Sequence, residues 1–336
     1  MNTIAEKGGG TFQGIKLLLC ENPLPPIEEA IAAAQAEVPH SNYYTEPYSA
    51  PLRRLISEQI KVPERLIHIN AGSELILRQL FDRYGQQVHL LTPTYMLFPE
   101  IARQFTETRL LPEQDFAFDL NKLVIPAGTT LAVIVNPNNP NGGIFDMKPL
   151  PELLRRHPQT RFLIDEAFIG MAGESVVHLV PEHANLLVTR TLSKAHSLAG
   201  FRVGYAILPE AVADDLNGHN DAYPLARPSQ AAAIATLQHE DKVRARAVQL
   251  RAWAAELATQ LRALGVRTYP TETYFFLADF APHAASVIAE QLRSRNILIK
   301  PLNDPALGPG YMRVTTALPD DNLRFVEALR EVLSRA

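Results

Sequence analysis

The segment Leu131-Ala-Val-Ile-Val-Asn-Pro-Asn-Asn-Pro-Asn-Gly-Gly143 joins an unbroken apolar run to a turn-forming sequence. Residues 161–165, Arg-Phe-Leu-Ile-Asp, repeat the arrangement of a short apolar run that ends in a polar residue. Continuous apolar runs are typical of strands buried on both faces, as in a parallel sheet that helices cover on both sides. Both segments therefore predict central strands of an α/β fold.

The sequence on either side of these two strands also contains short apolar runs, and helical patterns alternate with them. Further strands are predicted at residues 66–70, 88–92, 186–189 and 202–208. Helical patterns are predicted at residues 74–84 and 95–105. Because strands and helices alternate, the pattern predicts a three-layer α/β/α fold with a mostly parallel central sheet.

The sequence pattern changes after Pro209, and the new pattern predicts a smaller α+β domain. A long helical region at 228–264 precedes two short strands, at 273–278 and 311–315, and two further helices, at 283–295 and 320–333. The predicted units are a flexible, Gly-rich N-terminal arm at residues 1–14, a large domain at 41–214, and a small domain formed by 15–40 and 215–336.

Composition excludes several classes of protein. The 336 residues include 32 Lys and Arg against 36 Asp and Glu, so the net charge of −4 favours neither nucleic acid nor an acidic membrane surface. A single cysteine allows no intrachain disulfide. The sequence lacks a signal-peptide pattern and any run near the ~20 apolar residues that a membrane-spanning helix needs. We therefore expect a cytoplasmic protein, and we predict no metal site.

The most informative loop is Thr191-Leu-Ser-Lys-Ala-His-Ser-Leu-Ala-Gly-Phe-Arg-Val-Gly-Tyr205, which lies between two predicted strands. Lysine is the side chain that forms Schiff bases with carbonyl compounds, and Lys194 lies in the middle of this loop. The hydroxyls of Thr191 and Ser193 and the guanidinium of Arg202 are suited to binding a phosphate. Taken alone, charged residues in a polar loop are usually surface residues.

Four other segments place polar or aromatic groups where predicted strands end. Gly72 and Ser73 precede a helix, which makes either an anion site or an ordinary N-cap. Asp165 ends a buried strand, the edge at which α/β sheets bind ligands, although it also suits a turn. The Asn-rich segment after residue 135 suits a turn, and Tyr95 suits an apolar core. Together these groups match what pyridoxal 5′-phosphate (PLP) requires: a lysine, an acid and a phosphate site.

With these motifs in this order, the chain resembles the fold-type-I PLP enzymes of the class I/II aminotransferase group. It is most similar to their histidinol-phosphate aminotransferase branch. The resemblance extends from Glu21-Asn22-Pro23 to Arg313 and rests on three motifs: Thr191–Ile207, Asn136–Gly142 and Ile164–Phe168. It implies a PLP-transferase fold and transfer of an amino group between an amino acid and a 2-oxo acid. The amines that this branch implies include phosphorylated amines and compounds similar to histidinol phosphate.

The resemblance also implies roles for individual residues. Lys194 would form the Schiff base with the cofactor and then move the substrate proton. Asp165 would pair with the pyridinium nitrogen, Asn139 would donate to the ring oxygen, and Tyr95 would stack on the ring. The residues implied at the phosphate are Gly72, Ser73, Glu74, Thr191, Ser193 and Arg202.

The substrate side carries three implied residues. Arg313 would bind the substrate carboxylate, and Asn22 would line the substrate position. Tyr44 matches a tyrosine that the family supplies from the neighbouring subunit, which implies a homodimer with shared active sites.

Three residues depart from the family pattern and leave alternatives open. Phe168, at the cofactor, replaces the usual tyrosine and also occurs in relatives that decarboxylate threonine phosphate, so a PLP-dependent decarboxylase of a phosphorylated amino acid is the second candidate. His196 is either a surface residue or a polar group near the cofactor phosphate, and Tyr274 replaces an asparagine. A non-catalytic PLP sensor fused to a DNA-binding module would need an extra basic domain ahead of the cofactor fold.

Overall fold

The computed structural model describes residues 12–302, 304 and 307–335. Most of the arm predicted at residues 1–14 therefore lies outside the described residues. The strands of the described chain are β1 (Ile15–Leu17), β2 (Ile67–Asn70), β3 (Val88–Thr92), β4 (Phe105–Arg109), β5 (Leu131–Val135), β6 (Arg161–Asp165), β7 (Leu186–Thr191), β8 (Gly204–Ile207), β9 (Arg267–Thr268), β10 (Phe275–Asp279), β11 (Ile297–Pro301) and β12 (Tyr311–Thr315). The helices are α1 (Glu28–Glu37), α2 (Ala50–Ile60), α3 (Ser73–Tyr84), α4 (Leu97–Ile101), α5 (Leu150–Arg156), α6 (Glu210–Gly218), α7 (Arg227–Gln238), α8 (Glu240–Ala263), α9 (Ala285–Arg293) and α10 (Pro319–Leu333).

A seven-stranded sheet forms the centre of the molecule, in the order β2-β8-β7-β6-β5-β3-β4. Strands β3 to β7 run parallel, whereas β8 runs antiparallel to both of its neighbours. Every residue of β5 is buried, as its continuous apolar run predicts. The predicted α/β fold with a mostly parallel sheet is confirmed. Parallel β5, β6 and β7 bring their carboxyl ends to one edge of the sheet.

A second sheet of five strands has the order β1-β11-β12-β10-β9. Strand β1 pairs parallel with β11, and the other pairs are antiparallel. Residues from α8, α9 and α10 pack with this sheet in a separate hydrophobic core. The sheet and its helices form the smaller α+β unit.

The limits of the two domains remain a prediction, and the packing favours one adjustment. Helices α1 and α7 pack together, and their buried residues Ala30 and Ala233 belong to the same core as Ile134 and Ile164 of the large sheet. We therefore propose that α1 and α7 belong to the large domain rather than to the small one.

Some predicted elements differ from those in the structure. The helix predicted at 95–105 covers only Leu97–Ile101, and Phe105 instead begins the exposed edge strand β4. The long helix predicted at 228–264 is two helices, because the backbone of His239 leaves the helical conformation at φ −122° and ψ 43°. Strands β1 and β11 were not predicted, and β11 carries a residue of the site described below.

Within the described residues, no helix is both long enough and apolar enough to cross a lipid bilayer. The same part of the chain holds no group of three or more His, Cys, Asp or Glu side chains that could bind a metal ion.

Candidate active site

A cavity of about 630 Å³ opens at the carboxyl ends of the central strands. Its wall includes the start of α3, the segment before α1, the loop between β7 and β8, and residues of β11 and β12. Eleven of the predicted site residues line it: Ser73, Glu74, Tyr95, Asn139, Asp165, Phe168, Thr191, Ser193, Lys194, Arg202 and Arg313. Residues that are far apart in the sequence thus line one cavity.

Lys194 lies in the loop that joins β7 to β8, and its amine faces backbone oxygens. Its Nζ donates to the carbonyl of Leu19 at 2.9 Å and to that of Cys20 at 3.2 Å. Burial lowers the pKa of the Lys194 amine below its ordinary value. A lowered pKa leaves a larger fraction of the amine uncharged and nucleophilic near neutral pH.

Asp165 is a buried carboxylate at the end of β6, with 3% of its surface exposed. It accepts hydrogen bonds from the Thr189 hydroxyl and the Ala167 backbone N–H, each at 3.2 Å, and neither donor carries a charge. Burial raises the pKa of this carboxyl to about 6. A cationic partner would offset the free-energy cost of burying the ionised carboxylate, and the protonated ring nitrogen of PLP has the required charge.

The start of α3 and the Lys194 loop bring together groups that could bind an anion. Ser73 is the first residue of this twelve-residue helix, so its terminal N–H groups face outward. Gly72 has a φ of 87°, and a Cβ at this position would collide with the guanidinium of Arg202. The hydroxyls of Thr191 and Ser193 are 2.9 Å apart. These donors fit the phosphate of PLP.

Two aromatic rings line the cavity. Burial raises the pKa of Tyr95 to about 12, so its hydroxyl stays protonated. Phe168 packs edge-on against Phe275, with 4.8 Å between ring centroids, and its ring lies 5.6 Å from Lys194 Nζ. Phe168 therefore supplies apolar contact and no hydrogen-bond donor.

The opposite wall carries two cations. Arg313 is buried, donates through Nη1 to Asn139 Oδ1 at 2.7 Å, and donates through Nη2 to the Leu18 carbonyl. Its buried Nε has no hydrogen-bond partner within the described residues. Lys300 is paired with Arg313 across β11 and β12, and both line the cavity. Side chains of directly paired residues extend to the same face of a sheet, so Lys300 and Arg313 lie on the same face.

Three predicted site residues lie elsewhere. Gly72 shapes the anion site without lining the cavity. Asn22 lines an adjoining cavity of about 330 Å³, and its side-chain amide donates to the carbonyls of Lys194 at 3.1 Å and Ala195 at 3.3 Å. Tyr44 is 76% exposed and stacks on Tyr223. The substrate contacts predicted for Asn22 and Tyr44 remain predictions.

The two remaining departures from the family pattern also have defined partners. His196 is half-buried, and its Nε2 lies 2.8 Å from Glu240 at the start of α8, so it is neither a free surface residue nor part of the cavity wall. Tyr274 is fully buried and donates to the Cys20 carbonyl at 2.6 Å.

Sequence reasoning missed several groups. Lys300 was missed because β11 was not predicted. Thr189 lies directly across from Asp165 in the β6–β7 register, a signal that becomes readable once the strand order is known. The carbonyls of Leu19 and Cys20 belong to the backbone and leave no side-chain signature.

The chain matches known proteins over most of its length. The family described as aminotransferase class I and II matches residues 15–329. The chain is 31% identical to histidinol-phosphate aminotransferase 2 of Gluconobacter oxydans, over 95% of this chain and 92% of the relative.

Two crystal structures share the fold. Histidinol-phosphate aminotransferase from Sinorhizobium meliloti, in complex with pyridoxal-5′-phosphate, has a TM-score of 0.86 at 21% identity, over 96% of this chain and 91% of that one. L-Threonine-O-3-phosphate decarboxylase from Porphyromonas gingivalis has a TM-score of 0.85 at 20% identity, over 95% and 99%. At these identities the likeness concerns the fold alone.

Proposed function

Because the chain belongs to the class I and II aminotransferase family, it is a PLP-dependent transaminase, and we propose that its amino donor carries a phosphate group. The observation that supports this substrate most directly is the pair of cations, Arg313 and Lys300, on one wall of the cavity. We also propose that the enzyme acts in the cytoplasm, because a chain with one cysteine does not depend on disulfides. Cell fractionation tests the location.

When bound, PLP supplies an aldehyde that takes up the amino group and a ring that withdraws electrons from the substrate carbon. We propose that Lys194 holds the cofactor through its amine and moves the proton of the substrate carbon. Asp165 keeps a positive charge on the ring nitrogen, and Tyr95 and Phe168 enclose the ring. Ser73 and Arg202 bind the phosphate, together with Gly72, Glu74, Thr191 and Ser193.

Charge at the substrate wall favours an anionic amine. A carboxylate or a phosphate can bind the guanidinium of Arg313 in two-point geometry, and its unpartnered buried Nε is an available donor. Lys300 adds a second positive charge, which suits a phosphate of charge near −2 better than a carboxylate of charge −1. The phosphorylated amine in the names of the relatives agrees with this chemistry.

Replacing Lys300 with alanine tests the proposed substrate. We expect kcat/KM for phosphorylated amines to fall about tenfold, the cost of one lost charge-assisted hydrogen bond, with little change for unphosphorylated amino acids. The measurement is a screen of paired phosphorylated and unphosphorylated donors that detects pyridoxamine phosphate. Lys148→Ala, at an exposed position, is the matched control.

Two results would contradict the proposal. If phosphorylated donors react no faster than their unphosphorylated counterparts, the proposal of a phosphorylated amino donor is wrong. If donors release carbon dioxide without forming pyridoxamine phosphate, the chemistry is that of the decarboxylase alternative.

We further propose a homodimer in which Tyr44 completes the site of the partner subunit. Tyr43 and Tyr44 are 68% and 76% exposed, which is unusual for neighbouring large aromatic residues on a free surface. In its own chain, Tyr44 stacks on Tyr223 and does not line the cavity. These contacts support a role for Tyr44 outside its own site.

Mixing two defective variants tests the shared site. Tyr44→Ala and Lys194→Ala subunits should each be strongly impaired, and hybrids of the two should regain activity. The reason is that one of the two sites in a hybrid dimer contains both Lys194 and the partner's Tyr44. Activity is measured after the subunits are unfolded together and refolded, with each variant refolded alone as the control. A mixture no more active than the separate variants would contradict shared sites.

A further inference from the structure

The segment Leu19–Asn22 and the loop of Lys194 bind each other in both directions. Lys194 Nζ donates to the carbonyls of Leu19 and Cys20, at 2.9 and 3.2 Å. In return, the Asn22 side-chain amide donates to the backbone carbonyls of Lys194 and Ala195. The four contacts fix the position of the lysine main chain and give its amine two acceptors.

The Cys20 carbonyl belongs to a residue with an unfavourable backbone conformation. Cys20 has a φ of 50°, in the left-handed region that residues with a Cβ rarely adopt, and it is 1% exposed. The carbonyl of this strained residue accepts from Lys194 and also, at 2.6 Å, from the Tyr274 hydroxyl. A second donor holds the carbonyl in this direction.

The hydroxyl of Tyr274 is well placed for this task. Its side chain is fully buried, and the ring packs against Phe168 and Phe275 in edge-on contacts. Burial raises the pKa of Tyr274 well above its ordinary value, so the hydroxyl remains a proton donor. The direction of the donor is therefore set by the core and not by solvent.

We propose that Tyr274 is a positioning residue, which acts through the Cys20 carbonyl to hold the Lys194 amine whenever that amine is not bonded to the cofactor. An amine that takes up a proton becomes an ammonium group, which is stabilised by oriented hydrogen-bond acceptors. The Leu19 and Cys20 carbonyls supply them. The inference rests on the role proposed for Lys194 and adds the means by which its amine is kept in place.

The test is Tyr274→Phe, which removes only the hydroxyl. Without it, the Cys20 carbonyl is free to turn away, the ammonium form of Lys194 loses an acceptor, and the amine pKa falls. We expect the pH midpoint for capture of PLP by the apoenzyme to move down by about one unit, the value of one hydrogen bond to a charged group. Capture is followed by the visible absorbance of lysine-bound PLP.

The other charged and titratable groups around Lys194 are unchanged in this variant: Cys20, Glu21, Asp165, Arg202 and Arg313. Tyr269→Phe is the matched control, because it also removes a buried tyrosine hydroxyl, bonded to Tyr311 at 2.8 Å, from a ring outside the cavity wall. We expect the control to lower the melting temperature without moving the midpoint. A midpoint unchanged or raised in Tyr274→Phe would overturn the proposal.

A second variant separates positioning from general loss of structure. Glycine adopts a positive φ at little cost, so Tyr274→Phe should shift the midpoint less in a Cys20→Gly background than in the wild-type background. Comparing the two backgrounds cancels the direct effect of removing the Cys20 thiol. An equal shift in both backgrounds, with all variants folded, would overturn the proposal. Lys194→Ala tests the underlying role separately: if PLP capture with its visible absorbance survives there, the role of Lys194 fails and not the positioning by Tyr274.

Discussion

Lys194→Ala is expected to abolish the visible absorbance of lysine-bound PLP and to lower kcat by about 10⁴-fold or more. With the proposed role, the variant would lose both the covalent attachment of the cofactor and the group that moves the substrate proton, because Lys194 supplies the amine that donates to the Leu19 and Cys20 carbonyls. The fold should survive, because alanine leaves the loop backbone and its bonds from Asn22 in place.

The matched control for this variant is Lys300→Ala, which removes a second lysine that lines the same cavity. This control should keep the visible absorbance even where its substrate kinetics change. Absorbance that persists in Lys194→Ala, or disappears in Lys300→Ala, would show that the wrong lysine has been assigned.

Asp165→Asn is expected to lower kcat by about 10²- to 10³-fold and, at the same time, to stabilise the apoenzyme at neutral pH. The activity falls because an amide cannot keep the ring nitrogen positively charged. The stability rises because the native pKa of about 6 lies above the ordinary value of 3.8. The native protein therefore binds more protons than the unfolded chain between these values, and its stability falls as the pH rises through them.

The expected gain in the free energy of unfolding of the apoenzyme is on the order of 2–3 kcal/mol above pH 6, and it should vanish below about pH 4. Thermal unfolding of wild type and variant across this range measures it. Asp146→Asn, at an exposed position in the segment before α5, is the control and should give no such pH-dependent gain. If Asp165→Asn destabilised the apoenzyme at pH 8, it would contradict the conclusion that burial of the ionised Asp165 carboxylate lowers the stability of the apoenzyme.

The sequence predicted the central sheet well because its strands are buried on both faces. Such burial leaves continuous apolar runs, as in β5 and β6, and polar residues at the ends of these runs then fall at the ligand-binding edge. Asp165 was predicted in this way, whereas the roles of Asn139 and Lys194 followed from the family resemblance, and the structure brings all three to one cavity.

The parts that could not be predicted have physical reasons. Strand β4 is exposed and carries no apolar run, and β1 has only three residues, so neither has a clear pattern. Without β11, Lys300 had no place in the site. The acceptors of the lysine amine are backbone carbonyls at Leu19 and Cys20, and a carbonyl is present at every position of every sequence. The contact proposed for Tyr44 would involve a second chain, which a single sequence does not describe.

The residues proposed to bind the cofactor and those proposed to bind the substrate lie on different sheets, so the two sets can be substituted independently. The groups assigned to the cofactor lie at the edge of the seven-stranded sheet, whereas Lys300 and Arg313 lie on neighbouring strands of the five-stranded one. With the proposed function, a substitution at Lys300 would alter which amine is recognised and would leave Lys194, Asp165 and the proposed phosphate site unchanged. Substitutions in the five-stranded sheet, whether natural or engineered, could therefore change the amino donor while the cofactor residues at the seven-stranded sheet are retained.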